Sequence, residues 1–334
     1  SIRGETVHGG AVSIHVSPSD LYDVDLSFTK TSFYNCNTAG GHGGAIYGFR
    51  LGDLSLDRTC FNNCCTQESS ATGDTGMGQA CFIWHRTTSD HSKAIFSSLS
   101  ACPDSLAVRN TESVLSIFSG HVDIDDCNFT NNWVDKVASA ICLTEQKLCN
   151  IDFTNCINCT GESTMHIGGF EDKGTESCDI NNINFINCRN TSAYSKYGGV
   201  LVGYYTTITV EDCVFIMKGN KYLVASSYEY DLVTSLTFSQ CIFDMPLDDL
   251  IDKTRCSFQS DCKYDASPAT NTLQNFNSKE CWEIYSDTSK SENPLVYSFF
   301  VVFAFFAAIV GFGLYLQIST SFGAATALTA TSYM

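Results

Sequence analysis

The sequence predicts an all-β chain, a right-handed parallel β-helix (solenoid), followed by one C-terminal transmembrane α-helix. Three observations predict it. A short phrase, Phe-x-Asn-Cys, recurs at the spacing of a solenoid repeat. Each copy follows a short stretch of alternating apolar and polar residues, the pattern of a strand with one buried face. Near the C-terminus an uncharged run of 22 residues is long enough to cross a bilayer.

The phrase occurs as Phe33-Tyr-Asn-Cys36, Phe61-Asn-Asn-Cys64, Phe153-Thr-Asn-Cys156 and Phe185-Ile-Asn-Cys188. Phe129-Thr-Asn-Asn132 replaces the cysteine, and Phe215 and Phe243 keep only the aromatic. A polar turn follows, then a small-residue pair and a new apolar run, as in Gly43-Gly-Ala-Ile-Tyr47 and Gly198-Gly-Val-Leu-Val202. Val137-Ala-Ser-Ala-Ile141 is a glycine-free version. From Phe129 onward successive anchors lie 24, 32, 30 and 28 residues apart, and Phe33 to Phe61 is 28. The 68 residues between Phe61 and Phe129 leave room for a degenerate rung near Ala94 to Ser100. A period in this range built from strands rather than helices is a β-solenoid.

One coil cannot bury its apolar face alone, so coils stack, with equivalent residues about 4.8 Å apart. Phe33, Phe61, Phe129, Phe153 and Phe185 are then expected to form an internal aromatic stack. Asn35, Asn63, Asn131, Asn155 and Asn187 are expected to form an amide ladder at the turn. Cys36, Cys64, Cys156 and Cys188 are expected to share one column, and Cys127, Cys213 and Cys241 another. Stacked neighbours lie within disulfide reach, and bridged or buried thiols both stay open. About nine rungs would extend roughly 45 Å.

Composition points to the outside of a cell. All 18 cysteines precede Trp282, a count that suits an oxidising compartment and a disulfide-bonded chain. Sequons at Asn128, Asn158 and Asn190 mark expected glycosylation sites. The formal charge of -17, from 36 acidic and 19 basic residues, argues against a nucleic-acid partner. The chain opens on Ser1 rather than Met, which suggests a removed signal peptide.

Four segments follow. Residues 1–249 form the β-helix ectodomain. Residues 250–292 form a cysteine-containing cap and stalk, because solenoid ends need covering. Residues 293–317 form the membrane helix and 318–334 a short tail. The apolar run opens at Leu295 and closes at Leu316, about 33 Å as a helix at about 1.5 Å per residue, against a bilayer core of about 30 Å. The tail has no Lys or Arg, so its side of the membrane is not set by charge.

Gly43-Gly-Ala-Ile combined with the Phe-and-Asn phrase, over roughly Val7 to Phe243, resembles the polymorphic outer membrane protein repeat of bacterial surface proteins, also found in protist surface proteins with a C-terminal span. The family spaces its motif F-x-x-N where this chain has F-x-N, and its bacterial members end in a membrane barrel. The resemblance implies an adhesin-like surface role and offers no catalytic residue.

The expected function is therefore a single-pass protein at the plasma membrane or another cell-surface membrane, with its N-terminal region outside. Its β-helix is expected to act in adhesion, recognition or coating, towards a surface protein, a glycan or a second copy. Tyr194, Tyr197, Tyr204 and Tyr205 are the candidate recognition residues, since tyrosine joins an apolar body to a polar tip. The alternative is a membrane-anchored polysaccharide lyase or glycoside hydrolase, for which Asp123 and Asp125 share an outward face. That acidic face is also where Ca²⁺ would bind; no other cofactor is expected. Gly40-Gly-His-Gly-Gly44 lacks the Lys-Ser/Thr of a phosphate loop and reads as a turn. Cys156-Ile-Asn-Cys159 lacks the second ligand pair of a zinc site.

Overall fold

The computed structural model describes residues 8–20, 22–67, 76–103, 112–169, 177–190, 199–217, 224–226, 235–246 and 256–273. Among them every regular element is a strand and every strand pairing is parallel, an arrangement consistent with a parallel β-helix. The apolar run 295–316, Tyr194, Tyr197 and Cys281 lie outside the described residues. Among the described residues no helix is long and apolar enough to cross a membrane.

Each coil adds one strand to a nine-stranded sheet and one or two to a 15-stranded sheet, and two further sheets have two strands each, Asn37–Ala39 with Cys65–Gln67 and Thr160–Gly161 with Arg189–Asn190. The nine-stranded sheet runs from Ser32–Tyr34 through Cys60–Asn62, Ser98–Ser100, Asn128–Thr130, Asn155–Ile157, Asn184–Ile186, Val214–Ile216 and Ile242–Phe243 to Lys263–Tyr264. The degenerate rung expected between Phe61 and Phe129 is present as Ser98–Ser100. The coils also continue past residue 249. Cys256–Phe258 pairs with Ser235–Ser239, and Lys263–Tyr264 pairs with Ile242–Phe243.

The central register is Phe33, Phe61, Leu99, Phe129, Cys156, Phe185, Phe215, Phe243, Tyr264. Rings stack face to face where phenylalanines are neighbours: 5.0 Å between Phe33 and Phe61, and 4.8 Å from Phe185 to Phe215 and from Phe215 to Phe243. Phe153 is not in this stack. It sits at a turn with φ +45 and is 43% exposed. Its place is taken by Cys156. The physical reason is a three-residue shift: Phe153 falls in the corner column of Lys30, Arg58, Phe96, Asp126, Asn182, Asp212 and Gln240, where the chain turns with positive φ and side chains leave the coil.

The same shift moves Asn155. The turn ladder is made by Asn35, Asn63, Asn131, Asn158 and Asn187, all at φ between 52 and 55, a conformation that asparagine tolerates better than most residues. Their amides bond coil to coil: Asn63 to Asn35 at 2.6 Å, Asn158 to Asn131 at 3.1 Å and Asn187 to Asn158 at 3.2 Å. Asn155 belongs instead to a buried column with Asn128 and Asn184. There the Asn155 amide donates to Asn128 at 2.8 Å and the Asn184 amide to Asn155 at 2.9 Å. The main chain of Asn271 closes that column against the Asn184 side chain.

Cysteine columns shift likewise. Cys36, Cys64 and Cys102, then Cys159 and Cys188 after an intervening Asn132, follow the turn asparagines; Cys156 does not join them. Asn132 substitutes by accepting the Cys102 N–H at 2.8 Å and donating to the Leu99 carbonyl. Cys127, Cys213 and Cys241 share their column with Thr31, Thr59, Ser97 and Thr154. Each of Cys127, Cys213, Thr31, Ser97 and Thr154 donates to the carbonyl two residues back. Cys36, Cys64, Cys102, Cys149, Cys159, Cys178, Cys213, Cys241 and Cys262 stand as free thiols in this structure.

Two corners carry backbone demands. Gly43 has φ +67, and a Cβ on Gly44 would meet the Gln79 carbonyl at 2.0 Å, so this pair of glycines lets coils approach. Val137 stands at φ +55 at the start of the glycine-free version, where a β-branched residue is strained.

Candidate functional site

Two lateral faces of the 15-stranded sheet carry the chemistry. The first is aromatic. The register of Val12–His15, Ile46–Leu51, Cys81–His85 and Ser113–Asp125 places His15, Phe49, Trp84 and Phe118 in one column. Ring centroids are 4.8 Å apart for His15 and Phe49, and 5.4 Å for Phe49–Trp84 and for Trp84–Phe118. Trp84 is 41% exposed. Beside it Tyr47 and Phe82 form a buried column, stacked under His42 of the glycine-rich turn, whose ring lies 4.9 Å from Phe82. His42 accepts the Met77 N–H through Nδ1, a structural task for that turn.

Tyr204 continues the aromatic face. Its ring lies over Gly168, in the space a Cβ there would fill, and its hydroxyl reaches the Thr144 hydroxyl at 3.2 Å. This is the covering of a strand glycine by a cross-strand aromatic. Tyr204 is half-buried, and burial pushes its phenol up. Tyr205 turns away at φ +52, edge-on to Tyr204 at 6.2 Å. His166 packs 5.0 Å from Tyr204, and burial lowers its pKa to about 4.

The second face is acidic. Asp123 and Asp125 do share it, but their neighbours differ. Asp123 bonds His91 at 2.8 Å and accepts the Asn150 amide at 2.9 Å. Asp125 stands in register with Asp152 of the next coil, and Asp152 with Asn181 and then Glu211. Burial pushes the Asp152 carboxyl up, and the charges of Asp125, Asp179 and Asp123 add to the shift against an opposing Asn181 hydrogen bond. Asp126 is raised by burial and by Asp125. Among the described residues no group of three His, Cys, Asp or Glu side chains is placed to hold a metal ion.

The sequon residues divide. Asn128 is fully buried and its carbonyl accepts the Asn155 amide, so the folded coil has no room for a glycan there. Asn158 is exposed at its turn, with its amide donating to Asn131. Asn190 lies in the short strand Arg189–Asn190. The aromatic column is hard to read from the sequence because its members, 34 or 35 residues apart, vary in type and follow a longer period than the Phe-x-Asn-Cys phrase. The aligned runs Tyr47-Gly-Phe49 and Phe82-Ile-Trp84 were the available signal.

No family model matches this chain, and neither a curated protein nor a solved structure matches it.

Proposed function

We propose that the chain is a single-pass cell-surface protein whose ectodomain, a right-handed parallel β-helix, is a non-enzymatic recognition or adhesion module. The observation that carries this reading is the continuous aromatic column His15, Phe49, Trp84 and Phe118 on an outer sheet face, with Trp84 open to solvent. Exposed, rigid aromatics in a row are the residue type that recognition surfaces favour. The apolar run between Leu295 and Leu316 supplies the membrane span, and the cysteine count and exposed Asn158 sequon favour the outside of the cell. The resemblance of the repeat to the polymorphic outer membrane protein family supports the same surface role. In this reading the ligand is a glycan, a surface protein or a second copy.

The test displays the full chain on cells and measures binding to a polysaccharide panel, to other cells and to cells bearing the same chain. Binding that falls about tenfold or more with Trp84→Ala supports the reading. No binding to any of the three sinks it.

A second reading has its own observation. Asp125 faces Asp152 from the adjacent coil, and Asp152 is raised, as a carboxyl acid–base pair requires. Release of new sugar ends by the same cells, abolished by Asp125→Asn, would establish a polysaccharide-active enzyme instead.

A further inference from the structure

The cysteine columns include one pair whose sulfurs are already almost in bonding contact. Cys149 lies in the long strand Ala138–Asp152 and Cys178 in Ser177–Asn181. They are direct register partners in a parallel pair. In-register parallel strands hold such residues about 4.8 Å apart, inside the Cα separation that a disulfide spans. Both side chains point into the coil and are buried at 1% exposure. Their Sγ atoms are 2.8 Å apart, close to the bonded S–S length of about 2.04 Å. Closing the gap takes about 1 Å of motion or less, which two side-chain torsions supply.

No other residue type on this column produces the contact. The same position is held by Leu26, Leu54, Ser92 and Val122 in earlier coils and by Ile208, Leu236 and Cys256 in later ones, with Cys256 separated from Cys178 by Ile208 and Leu236. A cysteine pair therefore interrupts an otherwise largely aliphatic column at two consecutive coils. Cys156 is flanked in its own register by Phe129 and Phe185, so it has no cysteine neighbour along its column.

We propose that Cys149 and Cys178 are the two ends of a coil-to-coil disulfide. The oxidant is a disulfide of the thiol-exchange class, such as oxidised glutathione. One protein thiolate attacks a sulfur of that disulfide, forming a mixed disulfide and releasing one thiolate. The second protein thiolate attacks the protein-side sulfur, forming the Cys149–Cys178 bond and releasing the second thiolate. Two protein thiols are oxidised and one small disulfide is reduced to two thiols. The exchange takes place before the coils close, because in the finished fold both sulfurs are out of reach of solvent and burial, with Cys149 beside it, holds the Cys178 thiol protonated. The bond encloses a loop with a sequence separation of 29 residues and ties the strand that carries Asp152 to the strand that carries Asp179 and Asn181. This inference stands independently of what the protein binds.

The test maps the full chain. It is refolded in detergent with a mixture of reduced and oxidised glutathione, unfolded with an alkylating agent and no reductant, digested, and analysed by mass spectrometry. The expected result is a joined peptide pair carrying Cys149 and Cys178, lighter by two hydrogens than the separate thiol peptides and lost on reduction. Alkylation of both cysteines, or either one joined to a different partner, overturns the proposal. In the variant Cys149→Ser, Cys178 is expected to change from protected to alkylated while the labelling of Cys159 and Cys188 stays the same. If that variant does not fold, the wild-type peptide map alone decides.

Discussion

Two columns of asparagine run side by side through these coils, and they hold for different reasons. Asn128, Asn155 and Asn184 are buried, and their amides meet at 2.8 and 2.9 Å. Asn131, Asn158 and Asn187 sit at the surface, their amides meet at 3.1 and 3.2 Å, and all three have positive φ. In the buried column the hydrogen bond is indispensable, because a buried amide without a partner keeps its full desolvation cost. In the exposed column water replaces any lost bond, and the residue is selected mainly by the backbone. Identical side chains at the same spacing are thus answers to two separate physical problems.

The largest test of that contrast is Asn155→Ala. It removes one bond from the Asn128 carbonyl and one from the Asn184 amide. A loss of about 3 kcal/mol is expected for two buried groups that each lose a partner, read from the denaturant midpoint of unfolding. At Asn158 the order of two substitutions carries the information. Asn158→Ala is expected to cost about 1.5 kcal/mol and Asn158→Gly only about 0.5, since glycine accepts positive φ. Equal costs would show that the exposed amide ladder, not the backbone, holds the turn.

Val137→Gly reverses the sign. It relieves a β-branched residue at φ +55 and is expected to raise stability by about 1 kcal/mol, seen as a higher unfolding midpoint. Asp152→Asn is a smaller gain of about 0.5 kcal/mol, because it removes like charge opposite Asp125; an unchanged midpoint would show that solvent already screens the pair.

Acid gives the shallowest probe. Burial lowers the pKa of His85, whose ring bridges the Gly52 carbonyl and the Ser92 hydroxyl, each at 2.7 Å. His166 is lowered to about 4. For both, the unfolded chain takes up a proton near about pH 6.5 while the folded chain does not. Their contribution is complete above that pH and is lost as pH falls towards the folded values. Stability measured from about pH 7 to about pH 4 should therefore decline, and His85→Gln should flatten part of the slope.

Much of the fold was legible because stacking repeats the same demand in each coil. Phe33, Phe61, Phe129 and Phe185 stand out in a four-residue phrase and do lie in the central register. At 153–156 the phrase reproduces the motif three residues before the register position, which Cys156 holds. The uneven spacings of 24 and 32 around it were the warning; the turn asparagines are separated by 27 and 29. The longer pattern Asn-x-x-Asn, at Asn128 and Asn131, Asn155 and Asn158, Asn184 and Asn187, would have fixed the register. The recognition face was less legible. Tyr204 looked like a surface residue and is a lid over Gly168. His15, Phe49, Trp84 and Phe118 recur every 34 or 35 residues but vary in residue type, so no shared phrase marks the column.

Coil length and coil register are separate variables in this chain. Cys36 to Cys64 and Asn131 to Asn158 are ordinary steps, yet the Cys64 N–H reaches the Cys102 sulfur across 38 residues and the columns still match. Among the described residues the turn at 86–90 lengthens that coil between Cys81–His85 and His91–Ile95, and the strands on both sides keep their register. Evolution can therefore lengthen or replace one connection without shifting the reading frame of the rest, so the scaffold can acquire new loops while its interior stays unchanged.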